Sequence, residues 1–109
     1  MLKKINRLQK EKDIVRVLKR GKTEKEQLLV LKRVKNDTEK TRFGFLISKK
    51  VSKKATERNK VKRRLRELVK DSLQDLKQGT DNLLIALPGL EKKDFKQTKD
   101  MIDKLFKKK

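Results

Sequence analysis

RFGFLISKKVSKKATERNKVKRRLR, from Arg42 to Arg66, changes its periodicity partway along, and the change separates a strand from a helix. Phe43, Phe45 and Ile47 alternate with Gly44, Leu46 and Ser48, the two-residue repeat of a pleated segment that offers different residues to its two faces. Past Ser48 the chain enters a basic connection carrying Lys49, Lys50, Lys53 and Lys54. From about Ala55, Val61, Leu65, Leu68, Val69, Leu73 and Leu76 recur at helical spacing, which predicts a long helix ending near Gln78.

On a helical wheel at about 100° per residue, Val61, Leu65, Leu68, Val69 and Leu76 share one sector, the face to be buried. Asn59, Lys62, Arg63, Arg66 and Lys70 fall on the adjoining flank, where no carboxylate falls. The acids Glu57, Glu67, Asp71 and Asp75 lie elsewhere, beside Lys60 and Arg64, where pairs such as Arg64 with Asp71 offset one another. Basic residues kept for solubility alone would be interspersed with acids, which lowers self-repulsion. One flank is therefore left positive, as a surface for a polyanion requires.

Outward from this centre, KEKDIVRVLKR (Lys10 to Arg20) reads as a first helix, with Glu11 and Asp13 at its positive end, Lys19 and Arg20 at its negative end and Gly21 as its stop. Before it, Met1 to Gln9 is a basic arm in which Leu2, Ile5 and Leu8 suit docking against the body, and Arg7 extends the basic surface. Thr23 to Gln27 is a short edge strand and Leu28 to Val34 a buried one. Asn36 and Asp37 mark a reversal, so Leu28 to Val34 and Arg42 to Ser48 are expected to pair as an antiparallel hairpin. Gly79 suits a helix C-cap. DNLLIAL, Asp81 to Leu87, is apolar on both faces and predicts a central strand stopped by Pro88 and Gly89. Phe95, Thr98, Met101, Ile102, Leu105 and Phe106 mark a last helix within Lys93 to Lys107. The expectation is a single α+β domain over residues 1–109, one mixed sheet of about four strands with three helices in the order α-β-β-β-α-β-α.

Composition narrows the chemistry. A formal net charge of +20 on 109 residues, with 46% charged side chains, points to a nucleic-acid or other polyanionic partner and to a compact state strained by self-repulsion. With no cysteine and no histidine, thiolate chemistry, the commonest general base and the commonest metal ligand are all missing. The carboxylates are spaced to pair with neighbouring Lys and Arg, and Ser48, Ser52 and Ser72 have only exposed lysines as possible bases. No catalytic residue and no protein metal site is expected. No run has the length of a bilayer span and the N-terminus lacks a signal peptide's apolar core, so a soluble cytoplasmic protein without a membrane partner is expected. With no Trp or Tyr and four Phe, contacts to phosphates and 2′-hydroxyls should outweigh base stacking.

The segment Phe45 to Glu67, FLISKKVSKKATERNKVKRRLRE, closely resembles the signature of the protein component of bacterial ribonuclease P, with its serine and paired lysines followed by an arginine-asparagine helix. The resemblance extends to the basic lead (Leu2 to Leu8), the first helix (Asp13 to Gly21) and the last strand with its turn (Asp81 to Gly89). It implies a subunit that binds a catalytic RNA and the 5′ leader of precursor tRNA and promotes leader removal, with Mg²⁺ used by the RNA and no obligate protein partner. It also implies a left-handed crossover around the central helix, against the general rule of handedness. By position, Arg58, Asn59, Lys60, Lys62, Arg63 and Arg66 match the helix that faces the catalytic RNA, and Ser48, Lys49, Lys50 and Lys53 the turn beside it. Lys60 stands where arginine is frequent, keeping charge but losing the planar fork. Ile14, Leu18 and Lys32 match a leader cleft that often carries aromatics, so weak dependence on leader base identity is expected. The alternatives are a ribosomal or other structural RNA-binding protein, which would fail to stimulate precursor processing, and a protein-only nuclease, which would cut RNA unaided.

Overall fold

A computed structural model describes residues 7–36, 38, 40–72 and 79–107. The elements are α1 (Glu11–Arg20), β1 (Lys22–Glu26), β2 (Leu29–Lys35), β3 (Arg42–Ile47), α2 (Ala55–Ser72), β4 (Thr80–Ala86) and α3 (Phe95–Lys107), with one 3-10 turn at Leu90–Lys92. The four strands form one mixed sheet in the order β1-β2-β4-β3. The architecture is α+β, and the order of its helices and strands is the expected α-β-β-β-α-β-α.

Strand alternation sorts the side chains to two faces. Leu29, Leu31, Phe43, Leu84 and Ala86 join Val61, Leu65, Leu68 and Val69 of α2 and Met101, Ile102 and Leu105 of α3 in the main core. Each such large aliphatic or aromatic side chain contributes roughly 1.5–3 kcal/mol through its burial. Phe106 adds an edge-to-face contact with Phe43, ring centroids 6.0 Å apart. On the other face Val17 of α1 packs with Leu8 and Leu83, bordered by Ile14, Val34 and Ile85. The apolar pattern of β4 thus reports helices on both sides of a central strand.

The expected hairpin does not form. β4 lies between the two strands, antiparallel to β2 and parallel to β3, so β2 and β3 run antiparallel but never touch. Turn residues at Asn36 signal a reversal without saying what separates the two arms. Here the link carries its own polar ties: Asn36 Nδ2 donates to the Lys40 carbonyl at 3.0 Å, and Asn36 Oδ1 accepts from the Thr38 amide at 2.9 Å. The Asn36 amide also donates to the carbonyl of Gly79, whose φ of +78° only glycine adopts without strain.

Gly21 stops α1 as expected, its amide donating to the Val17 carbonyl at 2.8 Å, but it does so extended, at φ −70° and ψ 144°, and not in the left-handed conformation. Its missing side chain matters for space, since a Cβ there would stand 2.5 Å from the Val17 carbonyl oxygen and 3.2 Å from the backbone of Arg33. Phe95, expected on the apolar stripe of α3, is 51% exposed. It begins a helix whose first turn is fixed by Asp94 and Gln97, each side chain accepting the other's amide. Leu2, Ile5, Asp37, Leu73, Leu76 and the end of the central helix near Gln78 lie outside the described residues.

Candidate nucleic-acid interface

The central helix delivers its charges to two sides of the molecule. Burial of Val61, Leu65, Leu68 and Val69 fixes its rotation and leaves Asn59, Lys62, Arg63 and Lys70 exposed, with Arg66 half-buried. Lys62 and Arg66 line a cleft of about 300 Å³ together with Arg7, Leu8, Gln9, Ile14, Phe43, Gly44 and Phe45. Among the described residues, no carboxylate bonds to Lys62, Arg63 or Arg66. The positive flank read from the wheel is thus present as a surface, and Arg7 reaches it from the arm.

Lys60 lies elsewhere. It lines a separate groove with Glu57, Arg64, Glu91 and Lys92, where carboxylates offset its charge. Arg64 points a guanidinium nitrogen, 2.7 Å away, at the carbonyl of Lys93 and so ties α2 to the start of α3. The side chain of Asp71, its expected partner, lies outside what is described.

Arg58 turns back on the chain. Its Nη1 donates to the Ser52 carbonyl at 2.8 Å, while the Ser52 hydroxyl donates to Glu57 at 2.8 Å and accepts the Lys54 amide at 3.2 Å. These bonds pin the basic connection to the first turn of α2. Ser48 accepts the Lys50 amide at 3.2 Å in the preceding turn, and Lys49, Lys50 and Lys53 are exposed. The connection is a structured, positively charged loop.

The three residues matched to a leader cleft follow α1. Ile14 borders the cleft of Lys62 and Arg66. Leu18, one turn on, is 38% exposed, and Lys32 Nζ on β2 donates to its carbonyl at 3.3 Å. Beyond this end of α1, the sheet register places Leu46, Ile85, Val30 and Lys25 in one row across all four strands, and Leu46 is 41% exposed. Strand alternation puts that row on the face that carries α1. Sequence reading missed these residues, and it missed the half-buried Phe45 as a cleft aromatic. The two-residue period from Phe43 to Ile47 reported a strand, but not which strand edge would stay open.

A buried ion cluster holds α1 in place above the sheet. Asp81, fully buried, accepts from Arg42 Nε at 2.7 Å, Arg42 Nη2 at 2.8 Å, Arg16 Nη2 at 2.8 Å and Asn36 Nδ2 at 2.8 Å. Asp13 of α1 approaches Arg42 Nη1 at 3.4 Å. Burial alone pushes the Asp81 carboxyl up, but the hydrogen bonds from Arg42, Asn36 and Arg16 outweigh it and hold it below the usual carboxylate range. The hydrogen bond to Asp81 raises Arg42 in turn. Among the described residues, no three carboxylates gather where they could hold a metal ion, and no helix is long and apolar enough to cross a membrane.

Known proteins match this chain along nearly its whole length. The sequence model of the family described as Ribonuclease P matches residues 2–109. The ribonuclease P protein component of Clostridium botulinum is 40% identical over 106 residues, covering 96% of this chain and 95% of that one. That of Dictyoglomus turgidum is 35% identical over 107 residues, covering 96% and 89%. The solved RNase P protein of Staphylococcus aureus superposes with a TM-score of 0.86 at 26% identity, covering 94% of this chain and 93% of that one. That of Thermotoga maritima gives 0.84 at 28% identity, covering 94% and 96%. A basic sheet-and-helix scaffold of this topology, with the family's sequence across it, belongs to the bacterial ribonuclease P protein component family, a subunit of the endoribonuclease that processes the 5′ leader of precursor tRNA.

Proposed function

We propose that the flank of α2 bearing Asn59, Lys62, Arg63 and Arg66, with the loop of Ser48, Lys49, Lys50 and Lys53, holds the phosphate backbone of the catalytic RNA. Ile14, Leu18 and Lys32 guide the 5′ leader along α1. The observation that carries this reading is the cleft in which Lys62 and Arg66 stand without a carboxylate partner among the described residues. Cations placed so release counterions when they meet phosphate, which supplies affinity without reading sequence.

In this reading the Mg²⁺ ions serve the RNA, and the protein acts by lowering the repulsion between two RNAs brought together. Lys60 and Arg58 take smaller parts, the first because Glu57 and Glu91 share its groove and the second because it braces the loop. The whole chain acts as one domain in this role and needs no further protein.

The test is cleavage of a precursor tRNA by a bacterial ribonuclease P RNA at low Mg²⁺, with and without the protein, beside a Lys62→Ala, Arg66→Ala double variant. The protein alone should leave the substrate intact. Wild type should stimulate correct 5′ cleavage and the double variant should stimulate it less. Equal stimulation by both would remove the α2 flank from the interface.

A further inference from the structure

The cleft beside Lys62 and Arg66 has a floor that side-chain inventories overlook. Strand β3 is an edge strand, and its outer edge is hydrogen-bonded by the arm at one place only among the described residues. There Arg7 bridges Phe43 in parallel, and the Leu8 amide donates to the Phe43 carbonyl at 2.7 Å. The arm then leaves the edge, since Lys10 directs the chain into α1. Phe45 stands two residues beyond Phe43, so its backbone N–H and C=O point to the same outer edge. No hydrogen bond to the arm reaches them among the described residues, and Phe45 lines the cleft.

We propose that this cleft seats one unpaired RNA nucleotide, its base hydrogen-bonded to the N–H and C=O of Phe45 and its phosphate held by Lys62 and Arg66. The inference rests on the α2 flank being an RNA surface. Three observations converge on it. The volume of about 300 Å³ is at the small end for a ligand site and suits a single nucleoside, not a stack of bases. The walls from Leu8, Ile14 and Phe45 are apolar, as a base's faces require, while Lys62 and Arg66 supply a cationic rim. An open strand edge presents donor and acceptor side by side.

The chemistry of that pair sets the selectivity. Every base carries an adjacent donor and acceptor on its Watson–Crick edge: N6–H and N1 in adenine, N4–H and N3 in cytosine, N3–H and O4 in uracil, N1–H and O6 in guanine. One backbone N–H beside one C=O accommodates all four. A base already paired has that edge occupied and cannot enter. The site therefore selects for an unpaired nucleotide and is indifferent to which one, a selectivity that side-chain readers such as Asn or Arg do not give.

The test is amide NMR on the full-length ¹⁵N-labelled protein titrated with each of the four nucleoside 5′-monophosphates, N3-methyluridine 5′-monophosphate and ribose 5-phosphate. The Phe45 amide should shift to saturation with all four nucleotides, with affinities within about threefold of one another, because each makes the same two bonds. N3-methyluridine monophosphate, lacking one donor, should bind about tenfold more weakly than uridine monophosphate. Lys62→Ala should weaken all four alike. A Phe45 amide that stays still, a ribose 5-phosphate response equal to that of the nucleotides, or a preference for one base above about tenfold would each overturn the proposal. Failure of the RNA-surface reading would show separately, as absent stimulation of cleavage by the same preparation. In the holoenzyme, precursor tRNAs carrying N3-methyluridine at each leader position in turn then identify the source. Weakened binding at one position assigns the nucleotide to the leader, and uniform binding assigns it to the catalytic RNA.

Discussion

Arg42 and Asp81 face each other across the parallel register of β3 and β4, joined by two hydrogen bonds of 2.7 and 2.8 Å. Asp81 is fully buried and also receives Arg16 from α1, so one carboxylate ties the first helix, the basic strand and the central strand together. Removing its charge leaves two guanidinium groups facing a neutral partner. Breaking a buried pair from one side costs about 3–5 kcal/mol, and the partial exposure of Arg16 and Arg42 lowers that figure. Asp81→Asn should therefore lose about 2–3 kcal/mol of stability, read by urea denaturation. A loss below about 0.5 kcal/mol would show that the cluster behaves as a surface pair.

Acid should act through the same group. Because the folded Asp81 carboxyl sits below its unfolded value, the native state holds the carboxylate more tightly than the unfolded chain does. Its contribution is complete above about pH 5 and fades as pH falls through the unfolded value, about 3.9, toward the folded one. Wild type should lose stability over that range, and Asp81→Asn should show a flatter profile. Parallel profiles for the two proteins would assign acid sensitivity to other carboxylates.

Much of this architecture was legible because periodicity reports local geometry. The alternation from Phe43 to Ile47 and the helical repeat from Val61 to Val69 both appear where they were expected, and the two-sided apolar pattern of β4 marked it as central. Pairing was not legible. Asn36 announced a reversal, yet only the buried demand of Asp81 for Arg42 on one side and Asn36 on the other shows why β4 lies between the two arms. The same limit applies to the site. The wheel separated Lys62 and Arg66 from Lys60, but the bracing of Arg58 against Ser52 depends on a loop conformation that residue types do not encode.

The division of α2's charges predicts unequal salt effects. Each lysine or arginine that neutralises a phosphate adds about 0.7 to 0.9 to the slope of log affinity against log salt, depending on whether the RNA is single- or double-stranded. Lys62→Ala and Arg66→Ala should each lower the slope for catalytic RNA binding by about that amount. Lys60→Ala should change it less, since Glu57 and Glu91 line its groove. Fluorescence titration between low and moderate salt distinguishes them, and an equal or larger change for Lys60 would put the second groove in the interface.

Gly44 is the pivot between the sheet edge and the arm. A Cβ there would lie 3.1 Å from the Leu8 carbonyl oxygen, 3.3 Å from the Leu8 Cβ and 3.2 Å from the Leu83 Cδ1. Leu83 sits in the sheet and is fully buried, so the arm is the element able to yield. Overpacking of this kind typically costs about 1–3 kcal/mol, and Gly44→Ala should pay the low end of it by lifting Leu8 from β3. The Leu8 amide, which donates to the Phe43 carbonyl, should then lose hydrogen-exchange protection while the amides of β4 keep theirs. RNA affinity should fall with it, because Arg7 leaves the cleft together with the arm. Retained Leu8 protection in Gly44→Ala would mean that the sheet, not the arm, gives way, and the cleft should then keep its affinity.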